Sequence, residues 1–215
     1  MKKIFISILL LLIFNLNADH GPKDSKGYKD ESWIMKTLTS AAPSFIGDYA
    51  TVISPSGEVL REGTNGWTCL AFVAMPKMGY KSKQDAAPAC ADANAMAWAD
   101  AYMSQTAPKL TNDGWIWMLH GDTGVDNFRP YSEGDKANTD PEDWIVSGAH
   151  LMLMPKDPNS FGSQTTDFDT GAPYVMMQGT PYVHLMIPVE GYYDYQPESA
   201  PCLLYTSPSP RDNPA

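Results

Sequence analysis

One uninterrupted apolar run stands at the start of the chain, residues 4–14 (IFISILLLLIF); elsewhere apolar positions come in short alternating or stepped groups. Residues 33–42 have the length of a short helix that must stop before Pro43, because the residue ahead of a proline is pushed out of the helical region. Residues 49–54 (YATVIS) and 59–62 flank Pro55, Ser56 and Gly57 and read as a hairpin. Residues 67–73 (WTCLAFV) read as a further strand. The pattern over residues 86–105 predicts the main helix. Asp85 stands near its cap, Pro88 is tolerated in its first turn, and Ala89, Ala93, Ala97 and Ala101 form a small-residue stripe suited to close approach to a sheet. Strands are expected at residues 114–119, 145–154, 174–178 and 182–189. The long connections at 121–143 and 156–173 are full of Gly, Pro, Asp, Asn and Thr, the kind of loop that often carries function. No repeat of fixed period is present. The pattern predicts an α+β fold: a mostly antiparallel sheet, one main helix packed on it and two long acidic loops.

The opening run changes the picture of the whole chain. Lys2 and Lys3 before it and Leu16, Asn17 and Ala18 after it complete the pattern of a signal peptide. As a helix it would rise about 16 Å, half the hydrocarbon core of a bilayer, and no other stretch is apolar for long enough to span one. The expectation is a signal peptide at residues 1–18, a polar flexible leader at 19–32, and a single globular domain at 33–200, periplasmic or secreted. The far end is foreign to this pattern. Residues 202–212 (CLLYTSPSPRD) resemble the translation of a transposase adapter used in sequencing libraries, so residues 201–215 are expected to be an artefactual tail standing where the natural C-terminus would be.

Setting aside Lys2, Lys3, Arg211 and Asp212 takes the formal charge from −10 to −12. An acidic chain of this kind lacks the basic footprint that nucleic-acid binding requires. With 43% hydrophobic and 19% charged residues it is also too apolar to be mainly disordered. With Cys202 in the tail, Cys69 and Cys90 remain, and an even pair in an exported chain reads as a disulfide. Closing a loop of about twenty residues stabilises a fold by roughly 3 kcal/mol. The bridge would pin the first turn of the main helix to the strand carrying Cys69. The alternative, Cys69 as a nucleophile, requires a free thiolate and a nearby base.

Signatures of familiar catalysts are absent: no G-x-S-x-G elbow, Walker loop, H-E-x-x-H, G-x-G-x-x-G or zinc-type cysteine pair occurs. Three groupings carry candidate chemistry. Strand alternation places His150, Met152 and Met154 on one face and His184 and Met186 on one face, with Met176 or Met177 joining from the strand between. Imidazole and thioether together suit copper(I); the plainer reading is that methionine fills an irregular core. In the loop after His120, Asp122, Asp126 and Asn127 offer hard oxygens between glycines that can wrap calcium, although the spacing is not that of an EF-hand; the plainer reading is an acidic loop of turns. His120, His150 or His184 with Asp122 or Asp126 would make an acid–base dyad.

From residue 41 to residue 189 the chain resembles a family of uncharacterised exported bacterial proteins. The residues that carry the resemblance are 60–69 (LREGTNGWTC), Cys90, Ala97-Trp98-Ala99, Met118-Leu119 with Gly121-Asp122, 148–152 (GAHLM), and Gly179-Thr180-Pro181-Tyr182 with His184. The chain departs from the family pattern at Ala149, usually Pro there, and at His120. The resemblance implies export and paired cysteines and no particular activity. The sequence therefore predicts a non-enzymatic exported domain that binds a small ligand or metal or contacts an envelope protein. An enzyme built on His150 and His184 with acidic loop residues is the alternative, and a purely structural domain with His and Met in its core is the third.

Overall fold

The computed structural model describes residues 27–190 and Tyr192. The expected signal peptide, most of the leader and the tail lie outside the described residues. In chain order the elements are α1 (Glu31–Thr39), α2 (Ser44–Gly47), β1 (Thr51–Ile53), β2 (Val59–Arg61), β3 (Thr68–Ala71), β4 (Pro88–Ala91), α3 (Ala93–Met103), β5 (Gly114–Met118), β6 (Val125–Asp126), β7 (Trp144–Ile145), β8 (His150–Met154), β9 (Tyr174–Met176) and β10 (His184–Pro188). Short 3-10 turns stand at Gln84–Ala86 and Lys136–Asn138.

Eight strands form one sheet in the order β2-β1-β3-β4-β5-β8-β10-β9, and β6 pairs with β7 apart from it. Only β1 and β3 run parallel; every other neighbouring pair is antiparallel. The fold is α+β, dominated by its sheet. Strand alternation separates two cores. On one face Ile34 and Leu38 of α1 and Ile46 of α2 pack over Val52, Cys69 and Cys90, with Trp117 beside them. On the other, Ala95 and Trp98 of α3 cover Ala89, Ala91, Ile116, Met152, Tyr174 and Met186. A helix layer thus lies on each face, where the sequence pattern predicted one main helix. Among the described residues no helix is long and apolar enough to cross a membrane.

The largest departure from the sequence reading lies at residues 86–105. Its first part, Pro88–Ala91, is not helix but a fully buried strand, paired with β3 on one side and β5 on the other. Alanine favours helix locally, but two flanking ladders outweigh a preference of a few tenths of a kcal/mol per residue. The cap is Asp92 rather than Asp85. Its Oδ1 accepts from the Ala95 N–H at 2.8 Å and its Oδ2 from the Trp115 N–H at 3.1 Å, so one side chain starts α3 and fixes it to β5. Asp85 caps a turn elsewhere, accepting from the Lys81 and Ser82 N–H groups. With the start moved, the face turned to the sheet is Ala95, Trp98, Ala99 and Tyr102; Ala93 and Ala97 are exposed. Close approach comes from Gly114 instead, where a Cβ would stand 2.4 Å from the Ala95 nitrogen.

Cys69 and Cys90 are disulfide-bonded and directly opposite each other on β3 and β4. Cys90 therefore ties strand to strand, not strand to helix. The strand expected over 145–154 is split into β7 and β8. Asp122 accounts for the break: its Oδ1 accepts from the Ser147 N–H at 2.9 Å while its own N–H donates to the Ser147 carbonyl at 2.9 Å, which diverts that stretch of backbone from the sheet. The last residues of the expected leader are also engaged. Tyr28 exchanges two backbone hydrogen bonds with Tyr80, and its ring stacks on Trp33 at 4.9 Å.

Candidate functional site

The face of the sheet beneath α3 carries the side chains that matter. Parity puts His150, Met152 and Met154 of β8, His184 and Met186 of β10, Met176 of β9, and Ile116 and Met118 of β5 on this face. Between it and α3 lies a cavity of about 350 Å³. Seven of the chain's twelve methionines line it, more than any other residue type. Trp98, Ala99 and Tyr102 of α3 form the roof, and Asp122, Glu133 and His184 are its ionisable members.

The roof is an aromatic cluster. Trp98 and Tyr102, four residues apart on α3, stack at 5.3 Å. Tyr182 meets Tyr102 edge-on at 5.0 Å, and Tyr131 closes the group, 4.7 Å from Tyr102. Hydrogen bonds fix the rings. Tyr102 Oη donates to Glu133 at 2.6 Å and accepts from the Tyr131 N–H at 2.6 Å; Tyr182 Oη donates to the Thr106 carbonyl. Burial and the neighbouring Glu133 carboxylate keep the Tyr102 phenol far above its ordinary pKa. Tyr102 and Tyr131 did not stand out in the sequence, and Tyr182 stood there only among the residues that carry the family resemblance. The available signal was Tyr102 following Trp98 by one helical turn.

His184 is 4% exposed, and its ring meets the Trp98 edge at 5.5 Å. Its Nδ1 lies 2.9 Å from the Tyr182 carbonyl, which can only accept, so the proton sits on Nδ1 and Nε2 carries the lone pair. Burial lowers its pKa to about 4, so the ring is neutral at pH 7. Asp122 is pushed up to about 6 by burial, opposed by the Ser147 and Gly124 N–H groups that donate to it. His150 repeats the arrangement of His184: Nδ1 bonds the Gly148 carbonyl at 2.6 Å and burial lowers its pKa to about 4. Its Nε2 is buried with no hydrogen-bond partner.

The four residues expected to hold a soft metal, His150, Met152, His184 and Met186, do share a face. Met152 and Met186 are direct cross-strand neighbours, and both line the cavity with His184. His150 does not line it. Its cross-strand partner is Pro188, four positions along β10 from His184, roughly 13 Å at the rise of a strand.

The oxygens expected to hold calcium are engaged in their own turns. Asp126 Oδ1 accepts from the N–H groups of Phe128 and Arg129, both at 2.9 Å, and its Oδ2 pairs with the Arg129 guanidinium at 3.4 Å. Asn127 Nδ2 donates to the Thr166 carbonyl at 3.0 Å, while its Oδ1 is buried without a partner. Asp122 serves Ser147 and Gly124, as above. Among the described residues, no three His, Cys, Asp or Glu side chains are grouped as metal ligands would be.

No histidine of the described residues hydrogen-bonds a carboxylate. His120 stands instead with Ser40 and Lys83: Nε2 lies 2.7 Å from Ser40 Oγ, and Lys83 Nζ donates to that oxygen at 3.0 Å. Burial and the adjacent Lys83 ammonium lower the His120 pKa to about 4, which leaves a weak base for removing a hydroxyl proton near neutrality. The contact joins the end of α1 to the loop after β5. Comparison of the chain with family models, with curated proteins and with solved structures finds no match.

Proposed function

We propose that the protein is a non-enzymatic, exported binding module whose cavity between α3 and the sheet takes up a compact apolar ligand. The observation that carries this reading is the cavity itself: about 350 Å³, walled by thioethers and aromatic rings, with a few ionisable groups. Ligand sites have this size and this balance of apolar wall and few polar anchors. A void of about 150 Å³ admits benzene, so this one has room for a two-ring molecule. Methionine side chains adapt their shape to an occupant, and the lone pair on His184 Nε2 offers an acceptor to an N–H or O–H of the ligand. Export draws support from the Cys69–Cys90 bridge, since such bonds persist in oxidising compartments. An enzyme reading draws less, because among the described residues no histidine is paired with a carboxylate and His120 is a weak base.

The test is uptake of a neutral naphthylamine dye that fluoresces in apolar surroundings. Wild-type protein is expected to bind it saturably at about one per chain, and Ala99→Trp, which fills the cavity from the roof, is expected to abolish the signal. Equal dye fluorescence from both proteins, with both folded by circular dichroism, would sink the reading.

A further inference from the structure

His184 sits in a row of donors across three strands. β10 lies between β8 and β9 in the sheet. On one side His184 is paired with Met176. On the other, Leu185 is paired with Leu153, so the adjoining positions, His184 and Met154, stand side by side. All three side chains face the cavity, and Met154 and Met176 are each 1% exposed. Side chains directly opposite on neighbouring strands have Cβ atoms about 4.5–5.5 Å apart. Each thioether has three rotatable bonds with which to turn its sulfur toward a point shared with the central imidazole.

We infer that Met154, His184 and Met176 form a binding site for copper(I), with one imidazole nitrogen and two thioether sulfurs as ligands. The inference goes beyond uptake of an apolar ligand and shares with that reading only the premise that this cavity is a binding site. The donor set selects the ion. Thioether sulfur is soft and uncharged, and with neutral imidazole it suits a monovalent soft cation rather than a hard divalent one, which needs anionic oxygens. The disulfide removes both Cys69 and Cys90 as thiolate competitors. The imidazole is already oriented: the bond from Nδ1–H to the Tyr182 carbonyl fixes the tautomer and leaves Nε2 as the ligating atom, the outer-shell arrangement common to metal-bound histidine. Asp122, on the wall of the same cavity, offers a negative charge to balance the ion. Met186 and Met152, paired in the next row, extend the thioether surface behind it. His150 takes no part, because the register sets it four positions away.

The experiment uses the full chain without a histidine tag, titrated anaerobically with copper supplied as copper(I) against a chromophoric copper(I) chelator. Wild-type protein is expected to withdraw about one copper per chain, and X-ray absorption is expected to show nitrogen and sulfur ligands. Met154→Leu with Met176→Leu keeps the packing volume and removes both sulfurs; copper affinity should fall at least a hundredfold while naphthylamine dye uptake persists. Met78→Leu, at an exposed methionine outside the cavity lining, should leave copper affinity unchanged. Undiminished affinity in the double variant, or an absorption spectrum with no sulfur ligand, overturns the inference. Dye uptake without copper binding also overturns it and leaves the cavity reading standing, whereas failure of both ends the two together.

Discussion

At the scale of single residues, the buried histidines set how stability responds to acid. His150 and His184 have pKa values near 4 in the folded chain against about 6.5 when unfolded. Between those values the unfolded state binds more protons, so stability is lost as pH falls from about 6.5 towards 4, by roughly 3 kcal/mol per histidine at most. Asp122 acts with the opposite sign. Its folded pKa of about 6 lies above its unfolded value, so it favours the folded state at low pH and withdraws that contribution as pH rises to about 6. These two histidines, with His120 lowered in the same direction, outweigh the Asp122 carboxyl, and the melting temperature is expected to rise from pH 4.5 to pH 6.5. Asp122→Asn keeps an oxygen for the Ser147 and Gly124 N–H groups while removing the opposing titration. Its melting profile should be steeper over that interval, and a flatter one would contradict these assignments. Which side chains of β8 and β10 share the sheet face of this cavity was legible in the sequence, because period-two alternation reports which face a side chain occupies; the aromatic roof was not. Register was not legible. Nothing in the local sequence around His150 states that Pro188, rather than His184, lies across from it, because that pairing depends on two segments thirty-eight positions apart.

At the scale of elements, the start of α3 shows how tertiary pairing overrides local preference. Pro88, Ala89, Cys90 and Ala91 read as the opening turn of an alanine-rich helix, yet the strand they form is held from both sides, with Cys69 and Trp117 as the two neighbours of Cys90. The decisive signal was one residue, Asp92, followed three positions later by an N–H in need of an acceptor. Asp92→Ala should therefore cost about 1–2 kcal/mol, more than an ordinary cap because the Trp115 N–H loses its partner too. Urea denaturation of the two proteins measures the difference. A loss confined to a few tenths would mean that Asp92 does not join α3 to β5. The hairpin, β3, β5 and α1 were predictable because each has its own turn, alternation or stop signal. The division between β7 and β8 was not, since it depends on Asp122 reaching Ser147 from another loop.

At the scale of the molecule, strand order follows chain order more closely than a sheet of this size requires. β1 to β4 fill one end of the sheet and share a core with α1 and α2; β5, β8, β9 and β10 fill the other and carry the cavity. The disulfide lies wholly within the first group, between strands joined by an intervening segment of modest length. On the export proposed above, the polypeptide would emerge into its compartment N-terminus first, and domains assemble as their parts become available. The arrangement therefore implies an order of events. Oxidation of Cys69 and Cys90 can staple the leading end of the sheet while the methionine-bearing strands are still being delivered, so that β4 waits as a finished template edge for β5. Arresting synthesis so that about residue 110 has just cleared the compartment boundary, then trapping free thiols, should recover the pair already joined; free thiols at that length would show instead that the second half must arrive before the first can close.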